Sequence, residues 1–157
     1  MTERKARRAA DIEGSTTSNY PEMFKARLGG RSKRKLGDQF GLDQFGVNLT
    51  ELAPGAMSAL RHWHTHEDEF VYILDGEVTL VSDAGEEMLQ PGDCMGFKAA
   101  AGDGHHLVNR TSRPVRYIEV GSRRPGADAV FYPDDDIEVR PDGAVKRRFF
   151  RKDGTPY

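Results

Sequence analysis

Residues 61–76, RHWHTHEDEFVYILDG, hold three of the five histidines of the chain, His62, His64 and His66, immediately before the acidic cluster Glu67, Asp68 and Glu69. A β-strand points alternate side chains to one face, so His62 and His64 can converge on a point from positions about 6–7 Å apart along the backbone. From Glu69 the run Phe70-Val71-Tyr72-Ile73-Leu74 is rich in β-branched and aromatic residues and stops at Asp75-Gly76, a hairpin-type dipeptide. The stretch therefore reads as a metal site laid along two strands. Imidazole nitrogens with a carboxylate oxygen suit Fe(II), Mn(II), Ni(II), Cu(II) or Zn(II). A helical zinc site with His62 and His66 one turn apart fails on its order of residues, because no histidine follows Glu67 at the required spacing.

Working outward, short apolar runs alternate with turn residues. Strands are expected at Phe45–Leu52, Ser58–His64, Glu69–Leu74, Glu77–Ser82, Glu86–Leu89, Cys94–Phe97, His105–Asn109 and Val115–Val120, with weaker signals at Val130–Tyr132 and Val145–Phe150. Strands of this length with turns every eight to twelve residues define an all-β sandwich or closed barrel. Strand parity sets Val71 and Ile73 on the face of Glu69, and Phe70, Tyr72 and Trp63 on the other. A turn at His66-Glu67-Asp68 is required, because five extended residues from His64 to Glu69 would span ~16 Å. It lifts His66 toward the mouth of the site, with Glu67 and Lys98 as further candidates there.

At 157 residues the chain makes one domain, 19–157, behind a polar tail, 1–18, expected to be mobile. The formal net charge of −2 leaves no global field to recruit nucleic acid or an anionic membrane. One cysteine, Cys94, no membrane-length apolar run and no signal-like start make a cytoplasmic protein the expectation. A short helical turn is expected around 22–28. The basic run 31–35 is expected on an edge strand, where charge discourages aggregation. Asp134-Asp135-Asp136 reads as a hydrated acidic loop that lacks the spacing of an EF-hand.

These residues resemble the cupin superfamily, small β-barrels of the double-stranded β-helix or jelly-roll type with a metal held inside. His62-x-His64-x4-Glu69-x6-Gly76 matches the first cupin motif, with Gly55 one residue further upstream than expected; Gly92 and His105-x3-Asn109 match the second. Between them Lys98 stands for the motif proline, Ala100 for a glycine, and the histidine arrives two residues late. The barrel covers about 45–120, followed by an extension, 121–157, and the 15 residues between Gly76 and Gly92 resemble the short intermotif stretch of bacterial single-domain cupins. The resemblance implies His62, His64, Glu69 and His105 as ligands of one divalent transition metal, with His105 chosen over His106 for its spacing to Asn109. It further implies a small-molecule ligand and a homodimer; the outward aromatics are expected either to form its interface or to pack under the N- and C-terminal segments. Two functions are compatible with it: a metal-dependent dioxygenase, isomerase or decarboxylase acting on a small oxygenated or acidic molecule, or a non-catalytic metal-bearing binding or sensing module.

Overall fold

The computed structural model describes residues 5–141 and 147–157. Twelve strands follow a short helical turn, α1 (Glu22–Lys25), which runs on as a 3-10 turn, Ala26–Leu28. The strands are β1 (Arg31–Lys35), β2 (Phe45–Leu52), β3 (Trp63–His64), β4 (Glu69–Asp75), β5 (Val78–Ser82), β6 (Gly85–Leu89), β7 (Cys94–Phe97), β8 (His106–Val108), β9 (Val115–Ser122), β10 (Val130–Phe131), β11 (Glu138–Arg140) and β12 (Arg148–Phe150). They form a five-stranded sheet β1-β2-β9-β4-β7, a four-stranded sheet β12-β11-β10-β3 and a three-stranded sheet β6-β5-β8. The architecture is the expected jelly roll, but the three sheets are hydrogen-bonded separately and do not close into one ring.

The basic run of β1 lies on a sheet edge, as its charge anticipates. The expected strand Ser58–His64 is reduced to Trp63–His64. Upstream of it the chain pairs with β8 and its flanks through isolated bridges, Met57 to Val108 and His62 to His105, and single hydrogen bonds such as Ser58 N–H to the Leu107 carbonyl oxygen, because residues 58–61 bend. The weak strand expected over Val145–Phe150 begins at Arg148; Val145 lies outside the described residues.

Alternation sorts β4 as expected: Val71 and Ile73 are buried, whereas Phe70 and Tyr72 are exposed. Trp63 stacks on Phe131 at 4.9 Å between centroids, so its ring is spent within the chain. One core lies between the five- and three-stranded sheets around Leu52, Ile73, Val78, Val115 and Tyr117. A second is built by the terminal segments, with Phe24 and Leu28 meeting Leu60, Val130, Ile137 and Val139. The C-terminal extension is therefore a wall of the molecule. The acidic triad is paired rather than simply hydrated: Asp134 binds Arg61, Asp135 binds Arg27 and Asp136 faces Arg151.

Gly76 ends β4 at φ +79°, and a Cβ there would lie 2.6 Å from the carbonyl oxygen of Pro114. Left-handed backbone and a backbone clash combine, so Gly76→Ala is expected to cost about 3 kcal/mol or more. Chemical denaturation of the two proteins measures it, and a loss below about 1 kcal/mol would show that the turn can relax.

Candidate metal centre

Three elements bring the site together. His62 and His64 come from the β3 strand and its approach, Glu69 opens β4 after the turn at residues 65–68, and His105 precedes β8. The His62 backbone exchanges both hydrogen bonds with His105, which fixes the two rings side by side. Phe97 of β7, paired with Glu69 across the sheet, stacks flat on His105 with centroids 3.6 Å apart.

Each imidazole is oriented through Nδ1. His62 Nδ1 lies 2.7 Å from the Leu60 carbonyl oxygen, His64 Nδ1 is 2.6 Å from Asp128 Oδ2, and His105 Nδ1 is 3.1 Å from the Asp103 carbonyl oxygen. Oxygen acceptors at all three positions favour a proton on Nδ1, which leaves a lone pair on Nε2 of His62 and His64; His105 Nε2, 2.9 Å from Glu69 Oε2, donates to that carboxylate unless a metal ion takes the place of its proton. Those three Nε2 atoms face one oxygen, Glu69 Oε2, at 3.7, 3.7 and 2.9 Å. Four electron-rich atoms so placed require a cation among them, either protons or a metal. Ligands bound at 2.0–2.1 Å in neighbouring octahedral positions stand about 3 Å apart; His62, Glu69 and His105 bring one ligand atom each within 4.8 Å of one another, whereas His64, 3.7 Å from Glu69 Oε2, lies outside that group and its ring must move in to join them on one divalent transition metal.

The electrostatics follow from burial against pairing. Burial is the largest cause at His62 and pushes its pKa down to about 4, with Glu69 opposing. At His64 burial also acts downward, but the bond to Asp128 and the Glu69 charge outweigh it, leaving its pKa raised. For Glu69 burial acts upward and is overcome by the hydrogen bond with His105 and the neighbouring imidazoles, so its pKa is strongly lowered. Asp128, likewise raised by burial, is lowered on balance by His64.

These directions give a pH profile for the metal-free protein. His62, depressed when folded, contributes stability that is present above about pH 6.5 and lost as pH falls toward 4, about 3 kcal/mol in all. Glu69 adds a loss below its ordinary value. His64, raised when folded, contributes below pH 6.5 and loses that contribution as pH rises through its folded pKa. Thermal stability of the metal-free protein should therefore pass through a maximum near pH 6.5, and a monotonic rise from pH 4 to 9 would contradict the assignment. Metal affinity should fall with acid from a higher pH than the unperturbed imidazole value implies, because the Nε2 proton of His64 competes earlier.

The other predicted residues are distributed differently. His66 is exposed on the turn, with Nδ1 2.8 Å from Thr65 Oγ1 and its backbone N–H donating to Asp128, and Lys98 is exposed; neither lines the cleft that holds the ligands. Glu67 is buried and does line it, accepting from the Arg124 backbone N–H and from Arg147. His106 is half-buried, with Nδ1 2.9 Å from the Ala59 carbonyl oxygen. Asn109 is structural: its Nδ2 donates to the Leu52 and Arg113 carbonyls. Ala100, standing where the motif has glycine, takes φ +61°, and its N–H donates to the His64 carbonyl oxygen at 2.8 Å.

The cleft measures about 1160 Å³. Sequence reasoning missed several of its residues. Glu119 shares the inward face of β9 with Tyr117, and its Oε1 accepts from Asn48 Nδ2 at 2.9 Å and from Lys33. Tyr20 and Tyr132 lie edge to face on the same wall, centroids 5.7 Å apart, with Tyr132 also 5.6 Å from His62. Period-two counting from Val115 reaches Glu119; the tyrosines carry no local signal.

The cupin domain model (Cupin_2) matches residues 48–121. Together with the relative described next, this establishes that the chain belongs to the cupin superfamily. It is 45% identical to a sugar phosphate isomerase of that superfamily from Silicibacter pomeroyi, over 94% of this chain and 93% of that one, with a TM-score of 0.88. A candidate sugar phosphate isomerase from Acidithiobacillus ferrooxidans is 26% identical over 88% of this chain and 94% of its own, TM-score 0.71. A polyketide cyclase from Streptomyces resistomycificus is 23% identical over 76% of this chain and 79% of its own, TM-score 0.63, a likeness of fold alone. No curated protein matches the chain by sequence. Among the described residues no helix is long and apolar enough to cross a membrane.

Proposed function

We propose that the protein is a metal-dependent isomerase that interconverts the aldose and ketose forms of a small phosphorylated sugar. The observation that carries the reading is the convergence of three imidazole Nε2 atoms on Glu69 Oε2 at the wall of an open cleft. The near full-length likeness to the Silicibacter pomeroyi protein supplies the substrate class. His62, His64, Glu69 and His105 would hold one divalent metal. When bound, it supplies Lewis acidity toward the carbonyl and hydroxyl oxygens of the sugar.

The remaining chemistry belongs to the chain. Isomerisation moves one proton from C2 to C1 and a second from O2 to O1, with no net change in oxidation state. In a proton-transfer route a general base accepts the carbon-bound proton and returns it one atom away, and a carboxylate can serve. Glu119 has the required spare oxygen: Lys33 and Asn48 hold Oε1, while among the described residues no donor reaches Oε2. Tyr20 and Tyr132, buried so that their pKa values are raised, stay protonated; their hydroxyls are hydrogen-bonded to each other, which leaves one proton of the pair to donate to a sugar hydroxyl. Exposed Phe70, Tyr72 and Leu74 support a homodimer formed through the outer face.

The test is proton NMR of the metal-loaded protein with a panel of aldose phosphates in D2O. Ketose formation, with deuterium entering the exchanged carbon whenever the carried proton equilibrates with solvent, is expected. No turnover across three- to six-carbon aldose phosphates would overturn the proposal.

A further inference from the structure

We infer that the hydroxyl-rich segment 15–19, docked on β1 beside Arg31 and Lys33, forms a binding subsite for a phosphate monoester on the wall of the same cleft. This rests on reading the cleft as a sugar phosphate site, and it assigns the end of the substrate that the metal centre does not hold.

The segment GSTTSN, residues 14–19, looks in sequence like part of a polar tail. In the structure Ser15 exchanges both backbone hydrogen bonds with Lys33, each 2.9 Å. Gly14 lets it lie flush on the strand, since a Cβ there would stand 2.2 Å from Ser32 Oγ. Ser15, Thr17, Ser18 and Asn19 thereby line the cleft. Ser15 Oγ and Thr17 Oγ1 are 2.8 Å apart and share one proton between them, which leaves the other hydroxyl proton to donate outward. Ser18 Oγ accepts from the Tyr20 N–H, so its own proton also remains to donate.

The cations beside these hydroxyls are incompletely used. Arg31 spends one N–H on the Ser58 carbonyl oxygen, and no carboxylate among the described residues pairs with it. Lys33 meets Glu119 through one of three N–H groups. Of the seven lysines and arginines around the cleft, Arg123, Arg140 and Arg147 are committed to Asp38, Glu138 and Glu67, which sets Arg31, without a carboxylate partner among the described residues, apart from them. Hydroxyls, an ammonium and a guanidinium fork arriving from several directions outnumber what a carboxylate can accept. They suit a tetrahedral dianion with three acceptor oxygens.

The test is calorimetric titration of the full chain, freed of metal by chelation so that phosphate cannot bind an ion, with inorganic phosphate and with glycerol 3-phosphate. Both should bind, the monoester at least as tightly, and more weakly at higher salt. Arg31→Gln should weaken binding about tenfold or more, and the double variant Thr17→Val/Ser18→Ala several-fold. Arg110→Gln, outside the cleft and paired with Glu86, should not change it. The double variant keeps both cations and removes two hydroxyls whose only partners are near neighbours in the chain, Ser15 and the Tyr20 N–H, so it carries the test if Arg31→Gln fails to fold. Wild-type protein silent to about 10 mM of both probes, binding of free phosphate but not the monoester, or binding untouched in the folded variants would overturn the inference. Phosphate binding of the expected pattern without turnover of any sugar phosphate would remove the isomerase reading and leave the subsite standing.

Discussion

Glu69→Ala is expected to leave the protein with less than about a hundredth of its wild-type metal affinity, and His64→Ala to do nearly the same. Glu69 would supply the one anionic ligand of the proposed set, and its Oε2 is the atom that all three Nε2 atoms face. Removing it leaves three imidazoles with no charge to offset that of the ion. His64 is the best anchored imidazole, through the buried Asp128. His66→Ala should keep its metal, because that ring is exposed on the turn beside Thr65 and outside the cleft. Metal content of the three purified variants decides the matter. Equal loss in His66→Ala and His64→Ala would mean that the turn at residues 65–68 opens and exchanges ligands.

Glu119→Gln should lower kcat by roughly 10²- to 10⁴-fold, the range of a lost proton carrier, while metal content stays at the wild-type level. Glutamine keeps the size of the side chain and an oxygen for Asn48 and Lys33, so the cleft retains its shape. What disappears is the capacity to take a proton. The split between kcat and KM is the informative readout: a KM effect alone would make Glu119 a substrate-binding residue, and an unchanged kcat would move proton transfer elsewhere.

Strand parity made much of this site legible. Counting by twos from Glu69 puts Val71 and Ile73 inside and Phe70 and Tyr72 outside, and the burial of β4 follows that order. The need for a turn between His64 and Glu69 follows from strand length alone, and residues 65–68 make it. The parts that escaped depend on remote chain segments meeting. Asp128 lies 64 residues from His64 in a stretch that reads as loop, and its burial exists only because β10 pairs with β3. Trp63 has the parity of an interface residue, yet Phe131 covers it for the same reason. Asp134-Asp135-Asp136 looks solvated because the arginines that meet it come from three distant places. Lys33 satisfies the edge-strand reading and lines the cleft as well, since an edge strand still has an inner face.

The central claim is that His62, His64, Glu69 and His105 hold one divalent transition metal. Its most direct test is elemental analysis, with X-ray absorption at the edge of the metal found, on protein purified without a metal-affinity tag. The account predicts about one iron, manganese, nickel, copper or zinc per chain, coordinated by three imidazole nitrogens and at least one oxygen. A chain that contains none of these, and takes up none when incubated with each in turn at pH 7.5, would contradict it.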